Sequence, residues 1–478
     1  MNKLKLFIDN FLVYGLGGII SKLIPLLMIP LITRLMPSTE YVGISDLSNT
    51  VVQFASALAI MGMYDAMYRM FFEKEDEEYK KRVCSTALMF TLVTSLCVFI
   101  VLVQLRNVIA QSFFGNWEYA YVVYLSAMAT FVGATNSIVS APTRMQNKRG
   151  VFLITNTLAP LISYAISIPM LLAGHYIIAL PLAALLSGAA MEIIFGIMNR
   201  SWFSLKRFDK RLLKQMLAIA IPLLPNFLIY WVFNSSNKLM ISNMIGIGAE
   251  GVYSVGSKLG QASQLIYTAF AGGWQYFAFS TMKENDQVES NSRIFEYLGV
   301  ISFVSTMFVC AVSHTFFQIM FPPEYLEGYI VAPYLFLAPL LQMLFQVASN
   351  QFLVTKKTWP NMLILGIGAL AHVLINLLLI PVMGIEGAAL ATLCGYTISN
   401  VVCVIVLTRM KLMAVRGKFY AAAGLMALYL LVWRCWFATS ILAGIVLALA
   451  VCVLMVLLYR ADLTNLLKAL KLKGRKEH

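Results

Sequence analysis

The sequence predicts an all-α polytopic membrane protein with about fourteen transmembrane helices. Three observations carry that expectation. Hydrophobic residues make up 60% of the 478 positions, against about 45–50% in soluble domains. Charged residues are 12%, about half the usual share. The charges also gather in short clusters between long apolar runs, the pattern that lipid imposes. A soluble chain of this length would divide into about two to four domains, each needing a charged coat that this composition does not supply.

Apolar runs of about 18 residues or more, cut at the charge clusters, place the spans at 8–36, 41–72, 83–105, 119–141, 151–172, 176–199, 212–243, 249–281, 294–320, 329–354, 360–382, 386–408, 418–434 and 438–459. The basic residues give an independent test. Thirty of the 36 Lys and Arg lie in the two termini and in alternate connections, near 69–82, 144–149, 200–214, 283–293, 356–357 and 409–418. Only Arg106 and Arg434 fall on the other side, and Lys22, Arg34, Lys238 and Lys258 lie inside spans. The positive-inside rule then predicts an even number of spans with both termini cytoplasmic. It also accounts for the net charge of +14. There is no basic domain or aromatic-basic face to read nucleic acid.

Several chemistries are disfavoured at this stage. No connection exceeds about 20 residues, while a soluble catalytic domain needs about 50. The chain has no P-loop, no G-x-S-x-G elbow and no HExxH. Cys84, Cys97, Cys310, Cys394, Cys403, Cys435 and Cys452 lie in or beside apolar runs without a CxxC or Cys/His spacing, and read as small apolar residues. His175, His314 and His372 are scattered, with no metal or proton-relay spacing. The start of the chain does not read as a signal peptide, because Asp9 and Asn10 interrupt the apolar run and no A-x-A site follows.

The two halves resemble each other. Gly43-Ile44-Ser45 after the first span corresponds to Gly251-Val252-Tyr253-Ser254 after the seventh. Ile168-Pro169 and Ala184-Leu185-Leu186-Ser187-Gly188 correspond to Ile380-Pro381 and Ala391-Thr392-Leu393-Cys394-Gly395. Six spans per copy is even, so the copies run parallel, about an axis along the membrane normal. The expected organisation is an N-terminal six-helix lobe at 1–205, a C-terminal six-helix lobe at 206–412, an additional helix pair at 413–460 and a basic tail at 461–478. Transporters built on such repeats hold substrate between the halves and rock them in alternation.

Charges inside the spans are the candidate site. Lys22 lies roughly 22 Å into the first span and Lys258 roughly 12 Å into the eighth, at 1.5 Å per residue. Facing lipid, each would cost at least about 2.5–3.5 kcal/mol. Each is therefore expected either in an internal ion pair or in a cationic, water-filled cavity that receives an anionic substrate. Arg34 and Lys238 lie nearer the outer ends, where they can snorkel, pair or join the same cationic, substrate-receiving cavity. Asp46 and Asp65 occupy the two ends of the second span, and Arg69 is one turn from Asp65. Glu192, in the inner third of span six, and Gln261 complete the polar candidates. Pro25 and Pro30, and the Pro222/Pro225 pair, are expected to kink or locally open their spans.

Three segments carry a family resemblance. "NFLVYGLGGIISKLIPLLMIPLITRLMPSTEYVGISDL" resembles the opening of the Wzx-type polysaccharide flippases of the multidrug/oligosaccharidyl-lipid/polysaccharide exporter superfamily. "IGIGAEGVYSVGSKLGQ" resembles their entry to span eight, and "LIPVMGIEGAALATLCGYTISN" their spans eleven and twelve. The resemblance implies a V-shaped, two-lobed fold. It implies movement of an oligosaccharide on undecaprenyl pyrophosphate, for O-antigen, capsule or exopolysaccharide synthesis, across the bacterial cytoplasmic membrane. No cofactor is implied, and coupling to a proton or sodium gradient stays open. The implied partners are the carrier-linked glycan, membrane lipids, a polysaccharide polymerase and chain-length proteins. Lys22, Arg34 and Lys258 match the region of charged lumen residues. The additional helix pair is also found in lipid II flippases. Three alternatives stand beside this reading: a lipid II flippase, a cation-coupled multidrug exporter of the same fold, and a membrane-embedded polysaccharide polymerase. A net-positive lumen disfavours the exporter, and short outer connections disfavour the polymerase.

Overall fold

A computed structural model describes residues 23–267, 270, 274, 286–354, 359–462 and 464. Among them there is no strand. The helices are α1 (Leu23–Leu35), α2 (Thr39–Ile60), α3 (Met63–Phe71), α4 (Glu77–Gln104), α5 (Arg106–Phe114), α6 (Ala120–Met145), α7 (Arg149–Leu172), α8 (Tyr176–Met198), α9 (Lys210–Ala220), α10 (Leu224–Met244), α11 (Ile247–Gly260), α12 (Gln287–Met320), α13 (Gly328–Ser349), α14 (Trp359–Arg409), α15 (Gly417–Val432) and α16 (Ile441–Leu458). Ten helices among the described residues are long and apolar enough to cross a membrane, and the bent pair α2–α3 makes an eleventh. The 51-residue α14 breaks at Gly384, whose φ of 61° is non-helical, between the two spans expected there. The expected spans 8–36 and 249–281 fall partly outside the described residues.

Local chemistry sets the helix ends. Asp76 caps α4 by accepting from the Glu78 and Tyr79 N–H groups, and Asp209 caps α9 in the same way. The span expected as one helix over 41–72 bends instead by 47° between α2 and α3. Met61 and Gly62 there are both left-handed, with φ of 49° and 72°. A Cβ on Gly62 would lie 2.7 Å from the Ala220 carbonyl, so only glycine lets α9 approach. The prolines of the seventh span act as expected. A single 3₁₀ turn at Ile221–Leu223 replaces α-helix beside Pro222 and Pro225. Helix α1 runs continuously through Pro25 and Pro30, without the opening expected of that pair.

The chain forms two compact units, one of Met1–Val255 with Val373–Ala388, the other of Gly256–His372 with Ala389–His478. In the first unit α6 is central and packs against α2, α4 and α8. A second cluster, with Met67, Phe71, Val83, Ile138 and Met216 at its centre, joins α3, α4, α6 and α9. Among the described helices of the second unit, α13 is buried along most of its length. Helices α12, α15 and α16 surround each other closely. Gly444 of α16 admits the Ala311 backbone, and the Tyr429 hydroxyl donates to the Met307 carbonyl at 2.8 Å.

A charge cluster fastens the additional helix pair to α12. Arg416 reaches Glu296 at 2.6 Å and Asp462 at 3.0 Å, and Lys418 also engages Asp462. Glu296 is fully buried while Arg416 is a third exposed. Glu296→Ala should therefore lower unfolding free energy by about 1–3 kcal/mol, less than a fully buried pair would. Thermal unfolding in detergent reads this as a lower melting temperature. Partial burial acts to raise the Asp462 carboxyl, but hydrogen bonds from Lys418 and Arg416 outweigh it and hold the group below its ordinary value. The stability it contributes is complete above the ordinary carboxylate pKa and fades as pH falls through the depressed one.

Candidate functional site: a buried charge pair at a glycine crossing

Helices α2 and α11 cross in the first unit with their backbones in contact. A Cβ on Gly43 would sit 2.3 Å from the Ile247 carbonyl oxygen. A Cβ on Gly251 would sit 2.0 Å from the Thr39 carbonyl oxygen and 3.1 Å from the Gly43 nitrogen. Both distances are far below contact, so the crossing requires glycine on both helices. These two glycines are the residues that the internal repeat sets in correspondence.

One turn along α2, Asp46 forms an ion pair with Lys238 of α10 at 2.6 Å, and the two side chains are 5% and 10% exposed. Glu250 of α11 is fully buried and acts electrostatically on the same ammonium. Two acids and one base thus share this crossing. Neutral groups extend the cluster. Asn376 donates to the Asn237 side-chain oxygen at 2.6 Å, and Asn237 donates to the Tyr253 hydroxyl at 2.7 Å. The cluster therefore ties α2, α10 and α11 to the 373–388 part of α14. At the end of α10, Ser242 donates to the Phe113 carbonyl at 2.8 Å.

Placing two charges out of water costs several kcal/mol per ion, which their attraction only roughly repays. Such a pair is a poor source of net stability. Breaking it by removing one partner is costly, because that leaves an uncompensated buried charge.

Among the other candidate residues, Lys22 lies outside the described residues. Arg34 is exposed on α1. Lys238 does not snorkel; it forms an internal pair with Asp46. Lys258 is half-buried on α11 and belongs to the second unit. Asp65 is exposed on α3 and forms no ion pair with Arg69, one turn away, among the described residues. Glu192 is half-buried and faces the Thr135 hydroxyl. Gln261 is exposed at the turn after α11. The structure brings together Asp46 and Lys238 and adds Glu250, Asn237, Tyr253 and Asn376. The polar run Asn234–Lys238 inside an apolar span was the available signal for Asn237.

The model of one protein family, described as polysaccharide biosynthesis protein, matches residues 31–329. The chain belongs to the polysaccharide biosynthesis protein family. The matched segment contains Gly43, Asp46, Lys238, Glu250 and Gly251, so the crossing lies inside it. No match was found among curated proteins. Solved structures show the fold. The lipid II flippase MurJ in an inward closed conformation is 16% identical with a TM-score of 0.69, covering 95% of this chain and 100% of that one. An inward-facing multidrug resistance MATE family transporter of the MOP superfamily is 13% identical with a TM-score of 0.63, covering 82% and 98%. An outward-facing MATE family transporter is 12% identical with a TM-score of 0.59, covering 85% and 95%. This member of the polysaccharide biosynthesis family is thus a multi-pass membrane protein with the fold of MOP-superfamily transporters.

Proposed function

We propose that the protein flips undecaprenyl pyrophosphate-linked oligosaccharide repeat units from the inner to the outer leaflet of the bacterial cytoplasmic membrane. The observation that carries this reading is the family match over 31–329, on a chain whose described residues form membrane-length helices joined by short connections. A glycan diphosphate crosses hydrocarbon very slowly because each polar group must shed water. Its lipid tail prefers to remain in hydrocarbon. A transporter of this fold serves such cargo by holding the headgroup in water while the tail stays outside. No bond is made or broken, so the protein acts as a transporter and not as an enzyme.

In this reading the positive-inside pattern sets both termini in the cytoplasm and the α2–α11 crossing toward the outer side. The crossing is the outer gate. With the gate shut, the glycines exclude water and Asp46 pairs with Lys238. With the gate open, water enters and hydrates each charge, which offsets the lost attraction. Lys22, Arg34 and Lys258 remain the cations proposed to meet the diphosphate. The partners are the carrier-linked glycan, bilayer lipids, and the polymerase and chain-length proteins that receive the product.

Reconstitution tests the cargo. Proteoliposomes holding fluorescently labelled undecaprenyl pyrophosphate-oligosaccharide should expose it to an added glycosidase faster than protein-free vesicles do. Accumulation of a cationic dye, without glycan movement, would replace this reading with drug export. A second reading, lipid II transport, is favoured by the extent of the MurJ likeness, which covers 95% of this chain. Parallel vesicles with purified lipid II separate the two.

A further inference from the structure

A second feature of the first unit lies apart from the crossing. A cavity of about 720 Å³ opens where α3 meets the end of α6, lined by Tyr64, Asp65, Tyr68, Arg69, Phe72 and Arg144 among others. The aromatic residues follow one another at four-residue spacing, hence on one face of the α3 end. Their ring centroids are 6.0 Å and 5.5 Å apart. Tyr68 is 37% exposed and Phe72 is 56% exposed. Arg144 is held in place by donating to the Tyr64 hydroxyl at 3.3 Å and by stacking over Phe152 at 4.7 Å. Among the described residues no carboxylate lies within 4.0 Å of Arg69 or Arg144, so neither guanidinium is neutralised by direct pairing. Arg144 also borders a smaller pocket of about 200 Å³ between α6, α7 and α8, with Asn136, Ser140, Thr155 and Asn156. The Asn136 side-chain oxygen is buried there and accepts no hydrogen bond from a described residue.

Each part suits one piece of a ligand. Each guanidinium offers paired donors of the kind a diphosphate's oxygens accept. A row of aromatic faces packs the C–H faces of sugar rings, while Asp65 and the amide-lined pocket accept and donate to their hydroxyls. Exposed tyrosine and phenylalanine alone would fit an interfacial belt, but a belt does not line an open cleft together with two arginines. By the charge rule this cavity faces the cytoplasm, where the cargo is made.

We propose that this cleft is the loading site for the cargo headgroup, with the diphosphate on Arg69 and Arg144 and the first sugars along Tyr64, Tyr68 and Phe72. The proposal rests on the flippase reading above and names the place where cargo is first held. It predicts that the cleft recognises the shared diphosphate-sugar part and not the lipid tail.

The test uses the full-length protein in nanodiscs and two probes, farnesyl-diphospho-N-acetylglucosamine and inorganic pyrophosphate. Arg69→Gln/Arg144→Gln should weaken both by about tenfold or more, as loss of charged hydrogen bonds implies. Tyr68→Leu/Phe72→Leu should weaken the glycosyl diphosphate and leave pyrophosphate unchanged. All four side chains are exposed or line open space, so melting temperatures should stay at the wild-type value, and Arg69→Lys/Arg144→Lys should restore part of the pyrophosphate binding. Wild-type affinity for both probes in the arginine variant overturns the cleft and leaves the flippase reading standing. Failure of the wild-type protein to bind either probe overturns both. An anionic phospholipid presents phosphate too. If the arginine variant loses affinity only for phosphatidylglycerol vesicles, with glycosyl diphosphate binding intact, the cleft is a lipid contact and the proposal fails.

Discussion

Lys238→Met should lower the unfolding free energy by about 3–5 kcal/mol, the cost of leaving one member of a buried pair alone. The variant removes the buried ammonium that faces Asp46, which is 5% exposed, and Glu250, which is fully buried. Urea or thermal unfolding in detergent should show the loss, and membrane levels should fall with it. The charge-free combination Asp46→Asn/Lys238→Met/Glu250→Gln should return most of that stability, since no uncompensated charge remains. It should nonetheless transport at about a tenth of the wild-type rate or less. An uncharged crossing gains nothing from hydration when it opens, so it favours the shut state. The rate estimate corresponds to about 1.4 kcal/mol of bias toward closure. Recovery of both stability and transport in the triple variant would reduce the cluster to a packing element.

Gly251→Val should have the second large effect, of opposite kind. Its Cβ would fall 2.0 Å from the Thr39 carbonyl oxygen, and backbone cannot rotate away as a side chain can. Overpacking a tight contact costs about 1–3 kcal/mol and more where backbone is involved. The chain relieves the clash by parting α2 from α11. Asp46 and Lys238 then gain water, and a thiol reagent should reach a cysteine at Thr39 faster than in the wild-type protein. Gly43→Val should act alike, through the Ile247 carbonyl 2.3 Å away. Gly196→Ala, with nothing within 4 Å of its Cβ position, is the control that should leave labelling unchanged and, as a helical Gly→Ala change, cost no stability. Unchanged labelling in both valine variants would mean that the crossing does not control access.

The sequence made the fold legible because lipid imposes a simple code. Apolar runs such as 83–105 and 386–408 map onto α4 and the second part of α14 within a few residues at most ends. The break at Met61–Gly62 was not legible, because its cause is the Ala220 backbone, far away in the chain. The site was legible in part. Asp46 and Lys238 stood out as charges in apolar runs, but their partnership depends on how α2 and α10 pack, which hydropathy does not encode. Lys238 therefore read as able to snorkel, although its neighbour Asn237 already marked that stretch of α10 as facing other helices. Glu250 lies at the entry of its span, ahead of the apolar part, where a carboxylate reads as a loop residue, and its place beside α2 is set by packing. The repeat gave the most. It aligns Gly43 with Gly251, but that these two residues touch is a fact of packing that the alignment does not encode.

In the proposed mechanism the α2–α11 crossing must open for cargo to leave. A Cβ at Gly248 lies 3.1 Å from the Thr39 hydroxyl oxygen, which puts Thr39→Cys and Gly248→Cys within disulfide reach. The measurement is glycan-lipid translocation in proteoliposomes by the double variant, in a background with the seven native cysteines replaced, before and after oxidation. That opening requirement predicts that oxidation stops translocation, that dithiothreitol restores it, and that either single variant is indifferent to both. Translocation at the unoxidised rate by fully cross-linked protein would contradict it.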